Sequence, residues 1–189
     1  MSTAALGSCV YLLVGQRGAG KSFYAKRLIE AQPELKLFSR DELLVRLYGS
    51  TELSPYTGVH QYVQGLLLRH VHGALREQPE AKLLLDCWTG DSHERRLLLS
   101  ALRRGGTTRV VALYFMTPLE AVNRWFWEKP GIAKSEEWGQ QKKGVRAYYP
   151  SDTPQRDYEL FHQWARGIDA EGFNAVVRVN PLDDVIVLP

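Results

Sequence analysis

With 189 residues, 44% of them hydrophobic and 24% charged, the chain has the makings of one ordinary domain with a real core, and its composition excludes a disordered or fibrous polypeptide. The formal charge of +3 permits a phosphate-rich partner without requiring one. No apolar run approaches a membrane span in length, and residues 1–7 lack the charged and apolar regions of a signal peptide. A cytoplasmic location is therefore expected, and with it two buried free thiols, Cys9 and Cys87, rather than a disulfide.

The first apolar run, Cys9–Val14, reads as a buried strand. Gly15-Gln16-Arg17-Gly18-Ala19-Gly20-Lys21-Ser22 follows at once, with a helical pattern over about 21–31. This matches G-x-x-x-x-G-K-[ST], the phosphate-cradling P-loop, in the context it requires: a strand before and a helix after. The glycines let backbone N–H groups converge on phosphates without Cβ clashes. Lys21 can neutralise β/γ-phosphate charge, and the Ser22 hydroxyl can hold a Mg²⁺. The bland alternative is an ordinary glycine-rich turn.

A second strand, Lys36–Phe38, leads into Ser39-Arg40-Asp41-Glu42 and a helix over about 41–48. Acids are favoured in a first helical turn by the helix dipole. Beside a P-loop, Asp41 reads more sharply as a general base for an attacking hydroxyl. After a helix at about 58–77, the apolar strand Lys82–Asp86 ends in a carboxylate. Asp86 stands where an acid steadies Mg²⁺ or its waters beside the P-loop serine; a capping or solvated role fits it equally well.

A helix at about 93–104, the strand Arg109–Phe115, helices at about 118–128 and 155–170, the strand Ala175–Val179 and a last short candidate strand at Val185–Leu188 complete the chain. Leu83-Leu84-Leu85 and Val110-Val111-Ala112-Leu113 are unbroken, as strands buried on both faces should be. The alternation predicts a single α/β domain spanning 1–189, three layers around a mostly parallel five-stranded sheet, with ligands at the carboxyl ends of the strands. The histidines at 60, 70, 72, 93 and 162 show no metal-ligand spacing.

Between 124 and 150 aromatic residues alternate with cations: Trp125, Phe126, Trp127, Trp138, Tyr148 and Tyr149 with Lys129, Lys134, Lys142, Lys143 and Arg146. Trp88, just past Asp86, is expected to face the same cleft. Such interleaving suits bases stacked beside a phosphate backbone, or an extruded base held between rings. Packing of a mobile lid onto the domain explains the rings nearly as well, and Lys142-Lys143 also fits a solvated helix face.

The P-loop, Ser39-Arg40-Asp41, and Asp86 followed by Glu94-Arg95-Arg96 together resemble the kinase domain of the polynucleotide 5′-hydroxyl kinases of phages and bacterial RNA-repair systems. Glu171-Gly172-Phe173 before a strand and Asn180 resemble the end of the bacterial versions. The resemblance implies a P-loop kinase fold with a helical lid at about 118–150, using ATP and Mg²⁺. It casts Asp41 as the group that deprotonates the acceptor and Arg124 as a lid arginine gripping the phosphates. Lys21, Asp41 and Arg124 are thus the expected catalytic residues. Gly15, Gln16, Arg17, Gly18, Ala19, Gly20, Lys21 and Ser22 are expected to seat the nucleotide, and Ser22 and Asp86 to serve the metal.

Two positions depart from that family. Leu44 stands where an arginine usually follows the catalytic acid by three residues, with Arg46 the nearest, and Glu128 replaces a second lid arginine, with Lys129 beside it. An intact donor half with an altered acceptor half is similar to the small phage kinases that phosphorylate 5-hydroxymethyluracil within DNA, an activation step in thymidine hypermodification. DNA is then the expected acceptor, in the host cytoplasm, with no membrane and no obligate protein partner. An end-repair 5′-hydroxyl kinase, a small-molecule kinase for a nucleoside, sugar or antibiotic, and a non-catalytic nucleotide-binding module stay open.

Overall fold

A computed structural model describes residues 7–51, 58–140 and 144–188. Five parallel strands form one sheet: β1 (Cys9–Val14), β2 (Lys36–Ser39), β3 (Lys82–Asp86), β4 (Arg109–Phe115) and, numbered last in the chain, β7 (Ala175–Val179). Their spatial order is β2-β3-β1-β4-β7. β1 sits at the centre, with Leu12 paired to Leu85 on one side and Ala112 on the other. All of β1 is buried, which is why its sequence shows no polar alternation.

The pleat divides the core by residue parity. Val10, Leu12 and Val14, with Leu83, Leu85, Val110 and Ala112, face helices α2 (Arg40–Tyr48), α3 (Val59–Glu77), α4 (Ser92–Arg104) and α6 (Thr153–Trp164). Tyr11 and Leu13, with Leu84, Val111 and Leu113, face α1 (Lys21–Ala31) through Tyr24, Ala25 and Leu28. The expected three-layer α/β architecture is the observed one. Both cysteines are buried and free.

The run Val185–Leu188 is not a strand. It lies across α1, where Tyr24 and Gln32 satisfy its backbone: the Ile186 N–H donates to the Tyr24 hydroxyl at 3.1 Å, and the Leu188 N–H donates to Gln32 Oε1 at 3.0 Å. Side-chain partners thus replace a strand ladder. The helical pattern expected over 155–170 also divides: α6 stops at Trp164, and a short 3₁₀ turn covers Ile168–Ala170.

Helix α5 (Leu119–Glu128) opens the lid. Beyond it, β5 (Ile132–Lys134) and β6 (Ala147–Tyr149) pair in parallel as a separate two-stranded sheet. Strands this short leave no periodic signal to read. Lys142 and Lys143 lie outside the described residues.

One buried ion pair ties the sheet edge together. Arg95 on α4 and Glu171, before β7, are 0% and 2% exposed at their side chains and meet in a two-pronged bond of 2.7 and 2.5 Å. The remaining Arg95 N–H groups donate to the carbonyls of Thr89, Gly90 and Trp164. Every donor of the guanidinium is used, the condition under which a buried charge is tolerable.

Candidate active site

Chemistry collects at the carboxyl edge of the sheet, where β1, β2 and β3 end side by side. The β1 end becomes the P-loop. Gly18 and Gly20 adopt left-handed backbone, with φ of 75° and 80°. A Cβ on Gly20 would lie 2.7 Å from the Trp125 ring, and one on Gly18 would lie 2.8 Å from the Val122 carbonyl. Glycine is needed here both for conformation and because α5 packs directly on the loop. Thr117 fastens the loop from below, donating from its hydroxyl to the Ala19 carbonyl at 2.7 Å.

Gly20 caps α1 without any side-chain hydrogen bond, so the first-turn N–H groups keep their affinity for an anion. The Lys21 ammonium donates to the carbonyls of Gly15 and Gln16 at 2.9 and 3.0 Å. Burial lowers its pKa, opposed by the carboxylates of Asp86 and Asp41. The Ser22 hydroxyl donates to Asp86 Oδ2 at 2.8 Å. Asp86 is only 8% exposed, and burial raises its pKa against the pull of Lys21 and the Ser22 hydrogen bond. A hydroxyl and a carboxylate already in contact are hard oxygen donors of the kind Mg²⁺ takes. The residues present therefore fit the metal expected of them.

Ser39 and Asp86 are register partners on β2 and β3, so the acid two residues further on emerges next to the P-loop. Ser39 also caps α2, its hydroxyl accepting the Glu42 N–H at 3.3 Å, which fixes where the first turn begins. Asp41 stands in that turn with its side chain 49% exposed, and Arg40 Nη2 lies 3.4 Å from its Oδ1. The Arg40 Nε is buried without a hydrogen-bond partner.

Asp41, Lys21 and Ser22 line one cavity of about 570 Å³ with Trp125, Phe126 and Tyr149. Arg17 holds the lid over it. Its guanidinium bonds to Asp157 on α6 at 2.9 and 2.8 Å and lies 5.0 Å from the Tyr149 ring and 5.6 Å from Phe126. Glu128 and Lys129 stand on the same cavity wall.

The AAA-domain family profile matches residues 10–148, from the first strand to the lid. The chain belongs to the AAA-domain family. No curated protein matches the sequence. Among solved structures, a chain of the Pnkp1/Rnl/Hen1 RNA repair complex is similar over 87% of this chain and 47% of its own length, at 13% identity and a TM-score of 0.64. This chain thus spans about half of that one. The tunicamycin resistance protein of Deinococcus radiodurans is similar at 20% identity and a TM-score of 0.56, over 90% of this chain and 86% of its own. A provisionally assigned kinase from Chloroflexus aurantiacus gives 14% identity and a TM-score of 0.61, over 92% and 88%. At such identities the likeness establishes the P-loop kinase fold.

In this AAA domain not every expected site residue reaches the cavity. Arg124 is exposed on α5 and rests 5.9 Å over the Trp125 ring, outside the lining. Trp88 is also outside; it packs against Gly90. The aromatic segment divides into two sets. Trp125, Phe126 and Tyr149 wall the cavity, whereas Trp138 is 71% exposed and pairs with Tyr148 at 4.9 Å. Leu44 is a fully buried core residue, and Arg46 lines a separate cleft of about 270 Å³ with Ser39 and His70.

Three contributors escaped the sequence. Thr117 carries no motif, the Arg17–Asp157 latch spans 140 positions, and Arg95 and Glu171 stand 76 apart. Glu94-Arg95-Arg96 and Glu171-Gly172-Phe173 were visible as separate segments, but nothing in the sequence pairs them. Among the described residues no cluster of His, Cys, Asp or Glu could hold a metal by itself, and no helix is long and apolar enough to cross a membrane.

Proposed function

We propose that this AAA-domain protein is an ATP-dependent kinase that phosphorylates a hydroxyl on nucleic acid, namely the hydroxymethyl group of 5-hydroxymethyluracil in phage DNA, as a step in thymidine hypermodification. The observation that carries the kinase reading is the single cavity shared by the P-loop, Lys21, Ser22 and Asp41.

The backbone amides of residues 15–22 and the Lys21 ammonium hold the triphosphate. Asp41 accepts the proton of a primary alcohol while the alcohol oxygen bonds to the γ-phosphorus and the bond to the β–γ bridging oxygen breaks, releasing ADP. Ser22 and Asp86 would hold a Mg²⁺, whose positive charge would offset the negative charge of the phosphates. Arg124 stabilises the moving phosphoryl group by turning from the Trp125 face into the cavity.

The acceptor half supports a base in preference to a chain end. Its wall is aromatic, with Lys129 as the cation on the lid side, and neither Leu44 nor Arg46 reaches the cavity. Likeness to the RNA repair complex is compatible with a nucleic-acid acceptor. A small-molecule kinase is the second reading, favoured by the near-complete mutual coverage with the tunicamycin resistance protein.

Labelled ATP offered with three acceptors separates these readings: 5′-hydroxyl oligonucleotides, 5′-phosphorylated DNA containing hydroxymethyluracil, and a nucleoside panel. Label on the blocked, modified DNA alone is the expected result. Label confined to free 5′ ends or to nucleosides would overturn the DNA-base assignment.

A further inference from the structure

The acceptor end of the cavity carries a carboxylate with no task in phosphoryl transfer. Glu128, the last residue of α5, lines the same space as Asp41 and the P-loop, beside Ile132 and Tyr149. Five charged side chains line the cavity, and with Lys21 at the phosphate end and Arg17 on the P-loop, the carboxylates of Asp41 and Glu128 and the Lys129 ammonium are left to face an acceptor. Arg17 is committed to Asp157, and Arg124 stands outside. A neutral group entering between the rings meets hydrogen-bond acceptors and apolar walls. An acceptor carrying a phosphate next to its reacting hydroxyl meets the like charges of Asp41 and Glu128, which disfavours it.

We propose that Glu128 is a specificity-determining residue that excludes acceptors bearing a phosphate beside the reacting hydroxyl, so that the hydroxyl phosphorylated sits on a neutral moiety such as a base. This rests on the phosphotransferase reading above. Glu128 acts on the choice of acceptor, whereas Asp41 takes the proton. Lys134 and Arg146 are exposed outside the cavity, where DNA phosphates would lie while only the neutral group passes Glu128.

The test compares kcat/KM for two acceptors: 5′-phosphorylated DNA containing hydroxymethyluracil, whose hydroxyl is remote from phosphate, and a 5′-hydroxyl oligonucleotide, whose hydroxyl shares a sugar with a 3′-phosphate. The native chain should prefer the first by at least about tenfold, the size of one repulsive charge contact near a surface. Glu128→Gln should narrow that ratio and Glu128→Arg should reverse it, chiefly through KM of the 5′-hydroxyl acceptor. A ratio unmoved by both substitutions overturns the role of Glu128 while phosphotransfer stands. Failure to phosphorylate any acceptor, with ATP still bound, overturns both.

Discussion

At the donor end of the cavity, Lys21, Ser22 and Asp86 are held by hydrogen bonds of 2.8 to 3.0 Å to each other or to loop carbonyls. The acceptor end is built from rings and side chains on the lid, fastened chiefly by Arg17 to Asp157 and Tyr149. The first arrangement is mostly backbone and buried charge, so its chemistry tolerates few replacements. The second stands on α5 and the small β5–β6 sheet, where a substitution alters what is admitted without disturbing the core. On the proposed function, the difference teaches that reaction type would reside on the sheet edge and substrate choice on the lid.

The largest expected effect breaks the donor end. Asp41→Asn should lower kcat by about 10²–10⁴-fold, the usual contribution of a positioned proton acceptor, and Lys21→Ala by about 10²–10³-fold, as for loss of one charge-stabilising donor. Asp41→Asn should melt near the native temperature, because Asp41 is half exposed, whereas Lys21→Ala also leaves the Gly15 and Gln16 carbonyls without their donor and should melt somewhat lower. Single-turnover phosphotransfer beside thermal melts checks this pair.

Next comes the clasp behind the site. Arg95→Met leaves Glu171 buried and unpaired and should destabilise the fold by about 3–5 kcal/mol, measured by urea unfolding. The double variant Arg95→Met with Glu171→Met should recover much of that loss, since the penalty arises from the orphaned charge.

A smaller effect sharpens the lid side. Arg17→Ala removes a part-exposed ion pair and two ring contacts, together about 1–2 kcal/mol. That loss should appear mainly as a higher KM for the acceptor, with ATP affinity, read by equilibrium binding, changed less.

The smallest concerns a region away from both ends. Burial lowers the pKa of His162, whose Nδ1 pairs with the Tyr114 hydroxyl at 3.0 Å. Its contribution to stability is complete above the ordinary histidine value of about 6.5 and is lost as pH falls through the depressed folded value. Melting temperature should therefore drop on acidification, and His162→Gln should make that drop shallower.

What could be read from the amino acids follows from what each feature depends on. The P-loop depends on glycines, a lysine and a serine at fixed local spacing, so Gly15 to Ser22 and the flanking strand and helix were legible. The five sheet strands were legible because burial on both faces leaves unbroken apolar runs. Val185–Leu188 misled for the same reason: it is apolar because it covers α1, and side chains of Tyr24 and Gln32 take the place of a strand partner. The Arg95–Glu171 clasp and the Arg17–Asp157 latch were illegible, because their partners meet only through the fold. Leu44 was visible as a departure, yet its reason, a place in the core against the sheet, required the structure. Arg124 was placed by resemblance alone, and its position over Trp125 shows what a motif offset leaves unspecified.

The central claim is that one cavity seats a nucleotide's terminal phosphate and faces it with Asp41. A crystal structure with a non-hydrolysable ATP analogue, Mg²⁺ and an alcohol-bearing acceptor tests it most directly. The account predicts phosphates on the amides of residues 15–22 and an acceptor hydroxyl within about 3 Å of the Asp41 carboxylate. Phosphates bound elsewhere, or an acceptor hydroxyl seated out of reach of Asp41, would contradict it.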